Sequence, residues 1–308
     1  MRVMSMEYCK ETEKKLKEKF PVTPVAHYTG EIAMRSILLE LSATPKPGLV
    51  DRFNSGSHSD MSYETFILST SAIVPYFIYM AQAGVEYASS SEPLHKLLPV
   101  IRTIGLSAEK DMFSVTGGIN TQKGIIFLIG LTCAASGYLL AQKEMITPIK
   151  LSNFIKKISE DIVEKELSIL KSEQNLTSGE KIFLRYKMSG VRGEAQEGFP
   201  SVINYGLPAL KEALKAGLNL NYSSLHALCH IMAYLDDTAL LNRHNLATLR
   251  TVQGEMDELY RQGGLITDEG RKKWEKLEKK YNKKGINPGG SADLMAVTLM
   301  FYFMEYST

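Results

Sequence analysis

Apolar residues recur at helical intervals along nearly the whole of this chain, and period-2 alternation is scarce. From Ser62 onward, positions 66, 67, 73, 74, 77 and 78 keep the period of an α-helix. The same spacing predicts helices over about 31–42, 62–86, 95–115, 121–142, 147–173, 205–216, 222–237, 245–262, 266–283 and 290–305. The expected fold is all-α, a single compact domain of about ten or more helices spanning residues 26–308. Residues 1–25 read as a charged helical extension ending at Pro21 and Pro24.

With 308 residues, 44% of them hydrophobic and 23% charged, the chain has material for a large core and is not disordered. A net charge of +2 gives no footprint for nucleic acid or for an anionic membrane. Three cysteines, Cys9, Cys133 and Cys229, without paired spacing fit a reducing cytoplasm. Residues 1–20 lack the apolar core of a signal peptide. The uncharged run from Gly124 to Gln142 has the minimum length of a membrane span. It also holds Thr132, Cys133, Ser136 and three glycines, with no second strong span beside it, so a buried helix is the expected reading.

The loops carry the chemistry. Five segments concentrate glycine with charge: TPKPGLVDRFNSGSHSDM (44–61), TGGINTQKG (116–124), GVRGEAQEGFP (190–200), YLDDTALLNR (234–243) and NPGGSADLMA (287–296). Glycine lets backbone approach a ligand, and helix N-termini present free N–H groups to phosphate. Five such junctions point to one polar site for a phosphorylated ligand. Lys46, Arg52, Lys123, Arg192 and Arg243 stand in or beside these loops as phosphate contacts, although any one of them suits a surface ion pair equally. No GxxxxGK[ST] or strand-linked GxGxxG is present, which disfavours P-loop and Rossmann sites.

On a helix through residues 225–237, Asp236 falls on the apolar arc of Leu225, Leu228, Cys229, Met232 and Leu235. Asp237 falls beside His226 and His230 on the other face. The alternative is a helix ending at Leu235, with both aspartates in a solvated loop. Glu109, between Leu106, Met112 and Phe113, is expected to point inward, with Arg102 one candidate partner. Asp293 sits in the first turn of an otherwise apolar helix, where complementing the helix dipole would explain it. Buried carboxylates near glycine loops suit Mg2+, so Glu109, Asp236, Asp237 and Asp293 are the candidate metal set. His226 and His230 lack the glutamate of HExxH, and zinc is not expected. His58, between Gly56 and Asp60, is the better active-site histidine.

Taken together, these segments resemble the triphosphoribosyl-dephospho-CoA synthase family, which serves citrate lyase and malonate decarboxylase. ATPKPGLVDRFNSGSHSDM (43–61), IGLSAEKDMFSVTGGINTQKG (104–124), GVRGEAQEGFPSV (190–202) and NPGGSADLMA (287–296) carry the likeness, in the family's order. Two positions depart from it. Gln122 stands where the family usually shows His. Asp237-Thr238-Ala239 and Arg243-His244-Asn245 stand where it tends to read DTN and RGG.

The resemblance implies transfer of the triphosphoribosyl group of ATP to the ribose 2′-hydroxyl of dephospho-CoA, with adenine leaving. The product would pass to a transferase that loads an acyl-carrier subunit. Such displacement runs through an oxocarbenium-like state and needs a base for the hydroxyl and a proton for the leaving group. Asp60, Glu194 and His58 are the expected catalytic residues. Lys46, Arg52, Asn120, Lys123, Arg192, Arg243, Gly117, Gly118, Gly289 and Gly290 are expected to contact substrate and phosphates, with Mg2+ on the carboxylate set. The Asp-Asp-Thr segment also resembles magnesium-dependent ADP-ribosyl glycohydrolases, which act at the same carbon with water as acceptor. A non-catalytic nucleotide-binding homologue is the third reading. Two copies could pair through the apolar stretch Phe301 to Tyr306.

Overall fold

The computed structural model describes residues 22–168 and 176–306; the expected N-terminal helical extension lies almost wholly outside them. Among the described residues all regular structure is helical and no strand occurs. The first helix begins earlier than expected. Thr23 caps it by accepting a bond from the Ala26 amide, and Pro24 occupies its first turn, giving α1 as Pro24–Ser42. A Ser62–Thr65 capping box opens α2, Tyr63–Tyr87. Next come α3, Leu97–Val115, and α4, Lys123–Ala141.

Helix α4 is apolar all round because it is the centre of the bundle, packed on α1, α2, α3 and the last helix. Its glycines are contact points. A Cβ at Gly137 would stand 2.1 Å from the Ala81 carbonyl oxygen of α2, and one at Gly84 would stand 2.0 Å from that of Ala134. The two backbones thus touch with no side chain between them. Both α2 and α4 are long and apolar enough to cross a membrane by length and composition, so α4 does have a second such helix beside it, contrary to the expectation from the sequence. With 72% of its apolar window buried inside the protein, α4 is a core helix.

The expected helix 147–173 is broken. Helix α5, Pro148–Ile158, ends at Ser159, and Asp161 takes a left-handed conformation before α6, Ile162–Glu166. Two helices stand where the sequence read only loop or nothing: α7, Ser178–Tyr186, and α8, Gly190–Gln196. A π-helical stretch over Val202–Gly206 leads into α9, Leu207–Lys215. Then follow α10, Leu220–Tyr234; α11, Thr238–Arg243; α12, Leu246–Arg261; and α13, Asp268–Lys284. The final helix α14, Gly289–Tyr306, runs through the middle and packs on α1, α4, α9, α10 and α11. It joins the α1–α4 bundle to the α9–α12 group in one main core, with Ala209 and Leu210 of α9 in a smaller cluster with Ala227 and Leu299. Phe301 and Met304 are buried in that core, so the pairing surface expected from Phe301 to Tyr306 shrinks to exposed Tyr306 and its half-buried neighbours.

Candidate active site

The loop from Thr44 to Met61 folds back on itself around two buried charges. Lys46 is buried, and its ammonium donates to the Glu40 carboxylate at 2.6 Å and to the Glu40 carbonyl at 2.8 Å. Asp51, also buried, accepts from the amides of Lys46, Phe53 and Asn54. At Gly48, with φ +75°, a Cβ would collide with the Ile286 carbonyl at 1.8 Å, so only glycine lets this loop lie against the start of the closing motif. The loop becomes one wall of a cavity of about 320 Å3.

The other walls are helix beginnings. Lys123 and Gly124 of α4, Ser178 and Gly179 of α7, Thr238 and Ala239 of α11, and Gly289 of α14 all line the cavity. Thr177 caps the first turn of α7 and Asp237 those of α11 and α14, so the anion site that partial positive charge and free N–H groups make belongs to α4. At α4 the cap residue Gln122 makes no side-chain capping bond and Asn120 accepts only from the Lys123 amide, at 3.3 Å, which leaves the rest of that first turn open to a ligand. Lys123 and Arg243 add full charges at the same cavity, with Asn120 beside them.

Two titratable groups in the cavity are tuned in opposite directions. His58, from the loop, has a side chain only 7% exposed. Burial, then the nearby Arg243 guanidinium, hold its pKa below the ordinary 6.5. Its Nδ1 lies 3.3 Å from an Asp60 carboxylate oxygen and its Nε2 touches the Asn287 side-chain amide. Nδ1–H donating to Asp60 leaves Nε2 as the basic nitrogen. Asp293 is pushed the other way. Burial first, then the charges of Glu40 and Asp237, raise its pKa well above the ordinary carboxylate value. It lies against Gly124, where a Cβ would stand 1.8 Å from one carboxylate oxygen.

The adjacent aspartates exchange the places that a continued helix would give them. Helix α10 stops at Tyr234. Asp236 is half exposed and pairs with Arg250 at 2.9 Å. Asp237 is the buried one, yet not solvated in a loop. One of its oxygens accepts from the amides of Ala239, Leu240 and Gly290, the other from the amide and hydroxyl of Ser291. A single carboxylate thus caps α11 and α14 together.

Lys46, His58, Asn120, Lys123, Arg243, Gly289 and Asp293 meet at the cavity. Asp60 stands behind His58, and Gly290 gives its amide to Asp237. The other candidates lie elsewhere. Glu109 is half-buried and pairs with Lys123 at 2.8 Å, not with Arg102, and Leu106 of its supposed apolar face is 66% exposed. Arg102 and Arg192 both clamp Glu166. Glu194 faces Ser201, accepting from its hydroxyl at 2.6 Å, with burial raising its pKa. Arg52 is exposed over the ring of Phe53. Gly117 and Gly118, both left-handed, form the turn that ends α3.

Glu109, Asp236, Asp237 and Asp293 are therefore not gathered about one point. Among the described residues no group of three or more His, Cys, Asp or Glu side chains is placed to hold a metal. Of the two departures from the family pattern, Gln122 is buried and locked to α2, accepting from Ser69 and donating to Thr70 at 3.0 Å. Ala239 lines the cavity with its methyl group.

Sequence reasoning missed Glu40, Ser178 and Asn287. Helix α7 had a readable signal, the Thr177–Glu180 capping box, in which each residue bonds the other's backbone. Glu40 lay inside an apolar helical pattern, and only Lys46 explains it.

The chain matches the ATP:dephospho-CoA triphosphoribosyl transferase family over residues 26–308. It is 38% identical to the probable 2-(5''-triphosphoribosyl)-3'-dephosphocoenzyme-A synthase of Malonomonas rubra, covering 93% of this chain and 90% of that one. It is 39% identical to the 2-(5''-triphosphoribosyl)-3'-dephosphocoenzyme-A synthase of Pectobacterium atrosepticum, over 87% of this chain and 86% of that one. With the synthase of Klebsiella pneumoniae it shares 38% identity over 86% of each chain. No solved structure matches it. A match that runs from the first described helix to the last, on a fold that brings three of the four family-like motifs to one cavity, has one consequence: the chain belongs to the ATP:dephospho-CoA triphosphoribosyl transferase family.

Proposed function

We propose that the protein transfers the triphosphoribosyl group of ATP to the ribose 2′-hydroxyl of 3′-dephospho-CoA, releasing adenine. The observation that carries this reading is one cavity holding both a phosphate-ready rim and an oppositely tuned acid and base. Lys123, Arg243 and the first turn of α4 bind the triphosphate, with Asn120 as a hydrogen-bonding neighbour.

The bond between C1′ and adenine breaks as the acceptor oxygen bonds to C1′, through an oxocarbenium-like state. His58 takes the hydroxyl proton on Nε2 once that nitrogen gives up the bond it accepts from the Asn287 amide, and Asp60 fixes its tautomer. Adenine leaves with the bonding pair and receives a proton from Asp293, whose pKa burial and the charges of Glu40 and Asp237 raise. The scattered carboxylates do not suit a protein-built magnesium cage, so Mg2+ is read as travelling with the phosphates and water of ATP.

The product is read as the prosthetic-group precursor for an acyl-carrier subunit of citrate lyase or malonate decarboxylase, made in the cytoplasm and handed to a second transferase.

The test is adenine release from ATP with Mg2+, with and without dephospho-CoA, followed by mass spectrometry. Adenine that appears only with the acceptor, together with a triphosphoribosylated product, is the expected result. Adenine or ribose phosphates formed without acceptor would replace the transferase with a hydrolase. ATP binding without turnover would leave a non-catalytic homologue.

A further inference from the structure

Beside the cavity lies a second cleft of about 440 Å3, between α3, α4 and the start of α8. The two share Lys123 and Gly124, so they meet at the first turn of α4. Part of its lining is apolar, made by Leu106, Ile126, Phe127 and Val191. Part is ionic. Arg192 Nε donates to Glu166 at 2.8 Å, and Arg102 grips the second oxygen of the same carboxylate. Glu166 is mostly buried between them, while Arg102 keeps 40% of its side chain exposed. A guanidinium carries five N–H donors, so one bond to Glu166 leaves most of each fork available to a ligand. Two arginines fixed side by side by one carboxylate form a preorganised diphosphate clamp. The cleft thus offers that clamp, a long apolar wall, and an open end at the site where the ribosyl group would react.

We infer that this cleft binds the acceptor: Arg102 and Arg192 take the diphosphate of a nucleoside diphosphate ester, and its amphipathic arm lies along Leu106, Phe127 and Val191. The inference rests on the transferase reading and adds where the second substrate sits. Transfer requires the acceptor oxygen to come within about 3–3.5 Å of the donor carbon, and two clefts that share Lys123 and Gly124 adjoin at the place where that approach would occur. Gly124 is that wall. It has no side chain to separate the two ligands, and a Cβ there would displace Asp293. Glu109, paired with Lys123 at 2.8 Å, holds that lysine at the seam.

The experiment measures dephospho-CoA binding by calorimetry and, separately, the KM for each substrate. The proteins are wild type, Arg192→Gln, and Leu106→Asp. The last alters a side chain already 66% exposed, so the fold tolerates it, while it sets a charge where the amphipathic arm lies. Both variants are expected to weaken dephospho-CoA binding about tenfold or more, Arg192→Gln by losing a charge-assisted contact and Leu106→Asp by setting a charge against the apolar arm, with the KM for ATP unchanged. Unchanged acceptor affinity in both variants, or an equal loss for ATP and acceptor, overturns the assignment while the transferase reading stands. A wild-type protein that neither binds dephospho-CoA nor releases adenine in its presence overturns both.

Discussion

Replacing Asp237 with asparagine tests the joint between the two halves of the site. The native carboxylate accepts five hydrogen bonds, from the amides of Ala239, Leu240, Gly290 and Ser291 and from the Ser291 hydroxyl. An asparagine that keeps its oxygen toward Ala239, Leu240 and Gly290 turns its NH2 toward Ser291. The hydroxyl can rotate to accept, but the Ser291 amide cannot, and a buried N–H is left facing another donor. Losing that bond costs about 1–3 kcal/mol, and the three remaining bonds lose their ionic component. Relief of carboxylate burial offsets part of this, since burial raises the Asp237 pKa.

The net expectation is a destabilisation of about 3 kcal/mol for Asp237→Asn and about 5 for Asp237→Ala, which strands all five donors. Ser291→Ala removes one hydroxyl bond and should cost about 1 kcal/mol. Urea unfolding followed by far-UV circular dichroism measures all three, and thermal midpoints should fall by roughly 2–4 °C per kcal/mol. If Asp237→Asn lies within about 0.5 kcal/mol of wild type, or costs less than Ser291→Ala, Asp237 does not hold α11 and α14 together.

The rate should be bell-shaped in pH. Protonation of His58 removes the base, so kcat/KM falls on the acid side with a midpoint below the ordinary histidine value of 6.5. Loss of the Asp293 proton removes the acid on the alkaline side; Asp293→Asn should abolish that limb and lower kcat by about 10²–10⁴-fold. An alkaline limb that survives Asp293→Asn assigns the acid to another group. Lys123→Ala should raise the KM for ATP by about 10–100-fold, one charge-assisted phosphate contact, measured by initial rates at saturating acceptor. Asp236→Ala should leave turnover intact and change stability by less than about 1 kcal/mol, since its pair with Arg250 is half exposed. Denaturation and rate data showing otherwise would give Asp236 a role that its position does not supply. Gly137→Val drives a side chain into the Ala81 carbonyl and should cost more than about 3 kcal/mol by urea unfolding, or prevent folding.

Neighbouring residues in the chain show how far a one-dimensional reading reaches. Helix α2 was legible because its apolar positions repeat every three or four residues, and α4 and α14 because a long uncharged apolar run marks a buried helix, all within the reach of a local pattern. Glycine-rich loops marked the junctions for the same reason. Helix α7 was overlooked although its capping box is in the sequence, because a short helix offers little apolar periodicity to count. Helices α5 and α6 were fused, since nothing local foretold that Asp161 would turn left-handed.

What the sequence determined by itself was therefore the all-helical class, the loops that matter and the family they resemble. Which side chains meet was decided elsewhere. Asp237 finds its partner 54 residues away at Ser291, and Lys123 takes Glu109, whereas Arg102 and Arg192 take Glu166. Asp236 and Asp237 are adjacent and chemically alike, yet one pairs at the surface and the other joins two helices in the core. Helical periodicity sets the direction of a side chain only while the helix lasts. Once α10 ends at Tyr234, burial and partners are set by the packing of distant segments, because a buried charge persists only where donors from the rest of the fold reach it.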